Sequence, residues 1–238
     1  MNLIRSISGI RGIVDKTIDT STVKLYCNAF ANIQNPGKIA IARDGRDPGK
    51  NLYISAIQAL TNNNRKVILL DIAPTPTVQY ITKKYDLAGA IIITASHNPQ
   101  GWNGIKLVDE KGIFIKNKKF TEICKEVDKS NQLTSVISEN ISFTKKNFKY
   151  IYEHIDDTLK LSYINKKNIQ KKKFRVSVDA INSSCSNAIP FLLKKLGCET
   201  SIINCLSNGN FTRSPEPLPE NLEALSKDVI NNKSDFGL

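Results

Sequence analysis

The first half of the chain alternates between short apolar segments and longer mixed segments. The short apolar segments predict buried strands, at residues 38–42, 66–70 and 89–94. The mixed segments predict helices, at residues 20–33, 48–62 and 74–85. Strands that alternate with helices at this spacing indicate right-handed crossovers and a largely parallel sheet with helices on both faces.

The second half repeats this pattern after a polar, irregular segment at residues 130–142. Two strands and a short final one are predicted, at residues 174–179, 199–203 and 235–238. Helices are predicted at residues 145–162, 184–196 and 222–232. We therefore expect an α/β fold of two consecutive αβα-layered domains, at 1–133 and 143–238, with mixed, largely parallel sheets and an incomplete second domain.

Shorter elements and helix caps complete this prediction. Residues 107–108 and 112–115 are expected to form short strands about a turn, followed by a helix at 117–128. Caps are predicted from Thr20 or Ser21 for the first helix, Asp47 with Pro48 for the second, and Gly197 at the end of a later one.

Composition favours a packed, reduced protein. Hydrophobic residues make up 40% of the chain, yet no apolar run approaches the roughly 18 residues of a membrane span. The N-terminus lacks the charged-then-apolar layout of a signal peptide. Five cysteines without a Cys-x-x-Cys motif indicate reduced thiols. We expect a cytoplasmic protein without a membrane partner.

The net charge of +12 is carried mainly by lysine. The densest basic tract, at residues 165–173, has no interleaved aromatic residues and no known nucleic-acid motif. We interpret this tract as a solvated lysine surface and predict no nucleic-acid partner.

The densest polar cluster beside an apolar strand lies at residues 94–106. Its proline and glycines exclude a helix, so this loop 94–106 should follow a fixed, turn-rich path. It presents the hydroxyl of Ser96, the imidazole of His97 and the ammonium of Lys106. Because Ser96 follows the C-terminal end of a buried strand, it lies where open α/β sheets place their ligands.

Four short motifs follow one another along the chain: SGIRG at residues 8–12, RDGR at 43–46, TASHNP with NGIK within 94–106, and PEPLPENL at 215–222. They resemble, in this order, motifs of the α-D-phosphohexomutases, a family that includes phosphoglucomutase, phosphomannomutase and phosphoglucosamine mutase. The third motif resembles the phosphoserine loop of that family. The likeness covers essentially the whole sequence, which would correspond to the first domain and most of the second of a four-domain enzyme.

The resemblance implies a phosphohexomutase that works through a phosphorylated serine. Ser96 would carry a phosphoryl group, pass it to a hydroxyl of a hexose phosphate and recover the other phosphate from a hexose 1,6-bisphosphate intermediate. The net result would exchange the 1- and 6-phosphate positions. Residues 6–11 and 100–103 look more like bacterial phosphoglucosamine mutases, which convert glucosamine 6-phosphate to glucosamine 1-phosphate, than like animal phosphoglucomutases. Phosphomannomutase/phosphoglucomutase is the alternative, and a non-catalytic remnant that binds sugar phosphate is another.

The same resemblance assigns roles to individual side chains. Arg11 and Lys106 would bind the phosphate from two directions, because guanidinium and ammonium groups suit phosphate oxygens. His97 would donate to a phosphate oxygen or shuttle a proton. Asn98 is assigned to substrate or phosphate binding, and we expect it to act as an amide that shapes the loop rather than as a catalyst. Arg46 is assigned to phosphate binding or to orienting the loop.

A Mg²⁺ ion is implied, with the phosphate on Ser96 as one ligand, because hard oxygen ligands suit this ion. In the family a loop of the type Asp-x-Asp-x-Asp-Arg supplies the carboxylate ligands, and it would follow residue 238. Asp44 and Asp47 are expected to serve the turn and the helix cap instead. A serine hydrolase is a poor alternative, because His97 is badly placed beside Ser96, only His154 remains, and no Gly-x-Ser-x-Gly elbow is present. The sequence does not indicate an oligomeric state.

Overall fold

The computed structural model describes residues 2–130 and 148–238. Nine strands lie in these ranges: β1 Ile4–Ser6, β2 Gly9–Ile13, β3 Ile39–Arg43, β4 Val67–Ile72, β5 Gly89–Ile93, β6 Trp102–Val108, β7 Arg175–Asp179, β8 Glu199–Ile203 and β9 Phe236–Gly237. The same ranges contain eight α-helices: α1 Thr20–Ile33, α2 Gly49–Asn62, α3 Thr75–Lys84, α4 Asn117–Lys129, α5 Lys149–Thr158, α6 Lys166–Lys172, α7 Ala188–Lys195 and α8 Glu223–Asn231. None of the helices in these two ranges is long and apolar enough to cross a membrane.

The strands form two sheets, which define a first unit at 2–130 and a second unit at 148–238. The first sheet has the order β1-β2-β6-β5-β3-β4, and the second has the order β8-β7-β9. β3 pairs in parallel with β4 and β5, and β7 pairs in parallel with β8 and β9. The pairings β1–β2, β2–β6 and β5–β6 are antiparallel. Parallel pairing therefore predominates in a mixed α/β architecture, as predicted.

Alternation along the central strands of the first sheet produces two apolar faces. Ile39 and Ile41 of β3 pack with α1, α2 and α4, whereas Ala40 and Ala42 pack with α3 and α5. Fully burying an isoleucine side chain contributes about 1.5–3 kcal/mol. Helices on both faces therefore stabilise the first sheet. They also hold in place the edge at which its parallel strands end.

Helix α5 joins the two units. Ile151 and Ile155 lie in the core that α3 shares with the first sheet, and Tyr152 stacks on Phe191 of α7 at 4.0 Å. His154 stacks on a tyrosine of α3, and its burial lowers its pKa below the ordinary value. No chemistry was predicted for this histidine, and its contacts are structural.

Several sequence-based expectations about local structure are corrected. Asp19, and neither Thr20 nor Ser21, caps α1, because its carboxylate accepts from the Thr22 amide at 2.7 Å. Helix α2 begins at Gly49 with Pro48 in the capping position, so the Asp47 side chain makes no cap.

Gly197 follows α7 with φ +71°, as predicted for a helix end. The 112–115 segment forms only an isolated bridge between Val108 and Phe114, while 107–108 belongs to the longer β6. The hairpin of β1 and β2 and the helix α6 were not predicted. The predicted linker, the domain boundary and the start of the 145–162 helix lie mainly in 131–147, outside the described residues, so that boundary stays a prediction.

The two units meet at the carboxyl ends of their sheets. A Cβ on Gly209 would lie 1.8 Å from the Gly45 carbonyl oxygen, so only glycine allows this backbone approach. The Gly45 amide donates to Ser183 Oγ at 3.2 Å, and Gln100 Nε2 donates to the Gly209 carbonyl at 3.2 Å. These contacts place the end of β7 opposite loop 94–106.

Candidate functional site

A cleft of about 350 Å³ lies between the two units, and we call it the interdomain cleft. The first unit contributes six lining residues: Asp44, Thr75, Thr94, Ser96, His97 and Lys106. The second unit contributes residues from the turn after β7 and from the loop that leads to α8. Its volume is in the range of pockets that hold small ligands.

Ser96 lies three residues beyond Ile93, the last residue of β5, and β5 is buried along its whole length. The Ser96 side chain is exposed in the cleft, and its φ of +59° is left-handed, which is uncommon for a residue other than glycine. The Ser96 amide donates to Thr94 Oγ1 at 3.0 Å. Such conformations persist where surrounding contacts impose them, and they cluster at functional sites.

Arg46 supplies most of those contacts. Its side chain is completely buried, and its guanidinium donates to four carbonyls of the loop, those of Ser96, Asn98, Pro99 and Trp102, at 2.7, 2.8, 3.4 and 2.8 Å. Arg46 Nε lies 3.2 Å from Asp44 Oδ2. The guanidinium is thus enclosed by backbone, and this geometry gives no support to the expectation that Arg46 binds substrate phosphate. It fits the other expectation, that Arg46 orients the loop.

Asp44 completes this arrangement beneath the loop. It accepts from the Arg46 amide at 3.1 Å and from Thr94 Oγ1 at 2.7 Å. Burial raises the pKa of Asp44, while the Arg46 charge and the Thr94 hydroxyl act in the opposite direction. The turn therefore uses this carboxylate, as the sequence predicted.

Arg11 approaches the loop from β2, where it pairs with Gly104 of β6. A Cβ at Gly104 would lie 2.2 Å from the Ile10 carbonyl oxygen, so glycine permits this close pairing. Arg11 donates to Asn98 Oδ1 at 3.3 Å and to Ser8 Oγ at 2.8 Å. The structure therefore brings Arg11 to the loop through Asn98, although Arg11 does not line the cleft itself.

Lys106 and His97 line the cleft together with Ser96. Lys106 lies on β6, which pairs with β5 and so runs beside the strand that leads to Ser96. Burial, and secondarily the positive charge of Arg11, lower the pKa of Lys106. His97 is exposed at the cleft, where its ring is accessible to a ligand. A hydroxyl, an imidazole and an ammonium therefore share one cavity.

The sequence analysis missed two charged residues on the opposite wall. Asp179, at the carboxyl end of β7, has a fully buried side chain, and its Oδ2 accepts from Arg213 Nε at 2.9 Å. Both residues line the cleft. The position of Asp179 at the end of a predicted strand could have indicated a site. Arg213 follows no such rule, because it lies in an irregular proline-rich loop.

Within the described ranges no group of three or more His, Cys, Asp or Glu side chains could hold a metal ion. Of the cleft carboxylates, Asp44 is already ion-paired with Arg46, and Asp179 accepts from Arg213. The residues present therefore do not form a magnesium site by themselves, and Mg²⁺ stays a prediction.

Comparisons with known proteins agree with this arrangement. Residues 3–134 match the family described as phosphoglucomutase/phosphomannomutase, alpha/beta/alpha domain I, and residues 152–238 match alpha/beta/alpha domain II. A phosphoglucomutase/phosphomannomutase of Thermococcus kodakarensis is 31% identical, across 97% of this chain and 51% of that protein. A phosphoglucosamine mutase of Methanococcus vannielii is 36% identical, across 90% of this chain and 46% of that protein.

A putative phosphomannomutase from Thermus thermophilus has the same fold. It superposes with a TM-score of 0.80 at 20% identity, across 99% of this chain and 53% of that one. The chain spans about half the length of these relatives. With both domain matches and the identity to the Thermococcus protein, the chain belongs to the phosphoglucomutase/phosphomannomutase family.

Proposed function

We propose that this chain provides the phosphoryl-carrying part of a phosphohexomutase site, with Ser96 as the carrier. The observation that carries the proposal is the exposed, left-handed Ser96 in a cleft that it shares with Lys106 and His97. Phosphoryl transfer depends mainly on positioning and charge neutralisation. Arg46 and Asp44 support the positioning, and the cleft cations support the neutralisation.

In the proposed reaction a hexose phosphate hydroxyl attacks the phosphorus on Ser96. The bond from phosphorus to Ser96 Oγ breaks as the bond to the sugar oxygen forms. The sugar hydroxyl proton passes to a base, and the departing Ser96 Oγ keeps the electron pair and takes up a proton. His97 is our candidate for that base, because its imidazole lines the cleft together with Ser96 and can accept a proton. The hexose 1,6-bisphosphate then turns over and returns its other phosphate to Ser96, which exchanges the 1- and 6-positions.

Two cations of the first unit neutralise charge in this proposal. Lys106 neutralises the transferred phosphoryl group directly. Arg11 acts through Asn98 in the present geometry and reaches the phosphate once the group is bound. Mg²⁺, when bound, would add further neutralisation, with the phosphate of Ser96 as the ligand that this chain contributes.

For the substrate we propose glucosamine 6-phosphate. The loop resemblance supports this choice, as do relatives described as phosphoglucosamine mutases. Relatives described as phosphoglucomutase/phosphomannomutase support glucose or mannose phosphates as the alternative. A chain that binds sugar phosphate without turnover is the other alternative. We also propose the cytoplasm as its location.

Intact mass spectrometry tests the carrier role. The purified chain is incubated with a hexose 1,6-bisphosphate and Mg²⁺, and we expect one added phosphate, which peptide mapping places on Ser96. The Ser96→Ala variant should gain none. Ser184→Ala is the matched control, since Ser184 lines the opposite wall of the same cleft, and it should gain phosphate as the parent does. A phosphate on another residue, or no phosphate at all, contradicts the proposal.

A turnover assay then separates the mutase from the non-catalytic alternative. Hexose 1-phosphate, a bisphosphate activator and Mg²⁺ are supplied, and formation of the 6-phosphate is measured for glucosamine, glucose and mannose. Faster turnover of the glucosamine compound is expected. Phosphorylation of Ser96 without turnover of any of the three identifies a chain that carries phosphate but lacks mutase activity.

A further inference from the structure

We propose that Arg213, held in place by Asp179, is a second anion-binding residue of the interdomain cleft, so that a phosphorylated sugar is bound from both units. The proposal depends on the cleft being the sugar-phosphate site of the proposed function. It adds a residue of the second unit, which neither the motifs nor the family comparison assigns.

Asp179 fixes the position of Arg213. The carboxylate is fully buried, and each of its oxygens has partners: Oδ2 accepts from Arg213 Nε at 2.9 Å, while Oδ1 accepts from the Ile181 amide at 2.9 Å and from Asn204 Nδ2 at 3.1 Å. A carboxylate so enclosed cannot rotate without losing several bonds at once. The guanidinium is therefore held in one orientation before any ligand binds.

The guanidinium retains donors for a ligand. Nε is used by Asp179, and Nη1 donates to the Ser214 carbonyl at 2.9 Å. Across residues 2–130 and 148–238, no hydrogen bond is made by Nη2 of Arg213. The side chain is 16% exposed and lines the cleft. A partly occupied guanidinium with free N–H groups is suited to phosphate oxygens.

Charge within the cleft supports an anion between the two walls. The two carboxylates that line the cleft are both buried and paired, Asp44 with Arg46 and Asp179 with Arg213. Lys106 on one wall and the exposed part of Arg213 on the other are the cationic groups that line the cavity. Cations with low-dielectric walls around them attract an anion more strongly than the same groups at an open surface.

The turn between Asp179 and α7 is built to hold this wall. Asn182 accepts from the Leu206 amide and donates to the Asn210 carbonyl, both at 2.9 Å, and so ties the turn to the loop that leads to Arg213. Ile181 and Asn182 have left-handed φ values of +43° and +56°. For a β-branched residue this conformation is costly, and such strain is typical of functional sites.

A purely structural role is the competing explanation. Arg213 would then only neutralise the buried Asp179, and its replacement would lower stability without changing anion binding. The two explanations differ in one measurable quantity, which is the affinity of the cleft for phosphate when the parent and the variant are both folded.

Titration of the whole chain with inorganic phosphate, and separately with glucosamine 6-phosphate, measures that affinity by calorimetry at low salt. Arg213→Gln should weaken binding on the order of tenfold, because a hydrogen bond between charged groups is lost. The phosphate affinity of Arg213→Lys should lie between those of the parent and Arg213→Gln, because an ammonium keeps the charge but lacks the planar donor geometry of a guanidinium. Arg175→Gln is the matched control: Arg175 pairs with Glu199 at 3.0 Å on the same sheet but does not line the cleft. It should bind within about twofold of the parent.

A second variant protects the test against misfolding. Arg213→Gln leaves the buried carboxylate of Asp179 without its cationic partner. The double variant Asp179→Asn with Arg213→Gln removes both charges of the pair. Weakened binding by the folded double variant supports the proposal. Parental affinity in either folded variant overturns it and leaves the structural role.

The outcome is separable from that of the proposed function. The same Arg213→Gln comparison is made in a Ser96→Ala background, where no phosphoryl carrier exists. Weakened binding there supports Arg213 even if Ser96 is never phosphorylated, in which case only the carrier proposal fails. Normal phosphorylation of Ser96 with unchanged phosphate affinity in Arg213→Gln defeats the Arg213 proposal alone.

Discussion

The two walls of the interdomain cleft are built in different ways. On the first wall, loop 94–106 follows a buried strand, and the fully buried Arg46 holds its backbone through four carbonyls. On the second wall, Asp179 holds one side chain, that of Arg213. The first wall fixes where a hydroxyl lies, whereas the second presents a cation. Positioning on the first wall thus depends on backbone contacts, whereas the cation of the second wall depends on a single ion pair.

The walls also differ in the cores beneath them. The first sheet has six strands with helices on both faces, and its central strands are almost completely buried. The second sheet has three strands in the described ranges, and α6 and α8 contain no buried residues. Changes in the first wall should therefore cost more stability than equivalent changes in the second, and the following variants test this difference.

The largest effect is expected from Arg46→Met. It leaves Asp44 buried without its cation and removes the donors of four carbonyls, which should lower the free energy of unfolding by about 3–5 kcal/mol. Urea denaturation measures this change. Arg65→Met is the control, because Arg65 also donates to backbone carbonyls but is half-buried and does not line the cleft. A loss no greater than that of the control contradicts the proposed role of Arg46.

A smaller loss is expected from Gly209→Ala, which separates the walls. The new Cβ would lie 1.8 Å from the Gly45 carbonyl oxygen, and φ is +75°, so we expect a cost of about 2 kcal/mol or more. Thermal stability and phosphate affinity should both decrease. Gly101→Ala is the control, since a Cβ there meets no atom within 4 Å. Equal stability of the two variants argues against the close approach of the units.

The pH dependence of phosphate binding should depend on Lys106. Burial and Arg11 lower the pKa of Lys106, so its charge is lost at a lower pH than that of an ordinary lysine, and the affinity for phosphate should fall there as pH rises. In Lys106→Arg the side chain stays charged in the pH range where Lys106 loses its proton, so the decrease in phosphate affinity should move to higher pH. Lys118→Arg, an exposed change outside the cleft, should leave the profile unchanged. An identical alkaline profile for the parent and Lys106→Arg rules out Lys106 as the titrating group.

The smallest effect is expected from Ile181→Asn on the second wall. Asparagine tolerates the left-handed conformation at φ +43°, so relief of strain should raise the free energy of unfolding by about 0.5–1 kcal/mol. Ile202→Asn, at a half-exposed strand position, provides the contrast and should give no gain. Calorimetric melting of both variants measures the difference. Destabilisation by Ile181→Asn equal to that of Ile202→Asn would show that the turn is not strained.

Sequence patterns predicted the central part of the first unit well. The predicted strands around β3, β4 and β5 and the helices between them agree with the structure to within about two residues, because apolar runs and their flanking turns are local signals. The antiparallel strands β1, β2 and β6 were not predicted as part of the sheet. Neither β2 nor β6 contains a continuous run of apolar residues, and β6 begins inside the glycine-containing loop 94–106.

The candidate site was predicted unevenly for the same reason. Ser96, His97 and Lys106 lie within one motif, and the structure places all three in one cleft. Arg46 was recognised as part of a motif, but its burial against the loop could not be derived from its neighbours in sequence. Arg213 carried no local signal at all, because its role depends on a carboxylate in another segment.

The sequence by itself determined the local elements, the serine after the end of a buried strand and the family resemblance. Each of these features depends on residues that are adjacent or evenly spaced in the sequence. Only the tertiary structure decided which cations meet the cleft and which are buried beneath it. Arg46 binds the Ser96 carbonyl across 50 positions of sequence, and Arg213 binds Asp179 across 34. Contacts at such separations follow from how helices and sheets pack, and no local pattern encodes them.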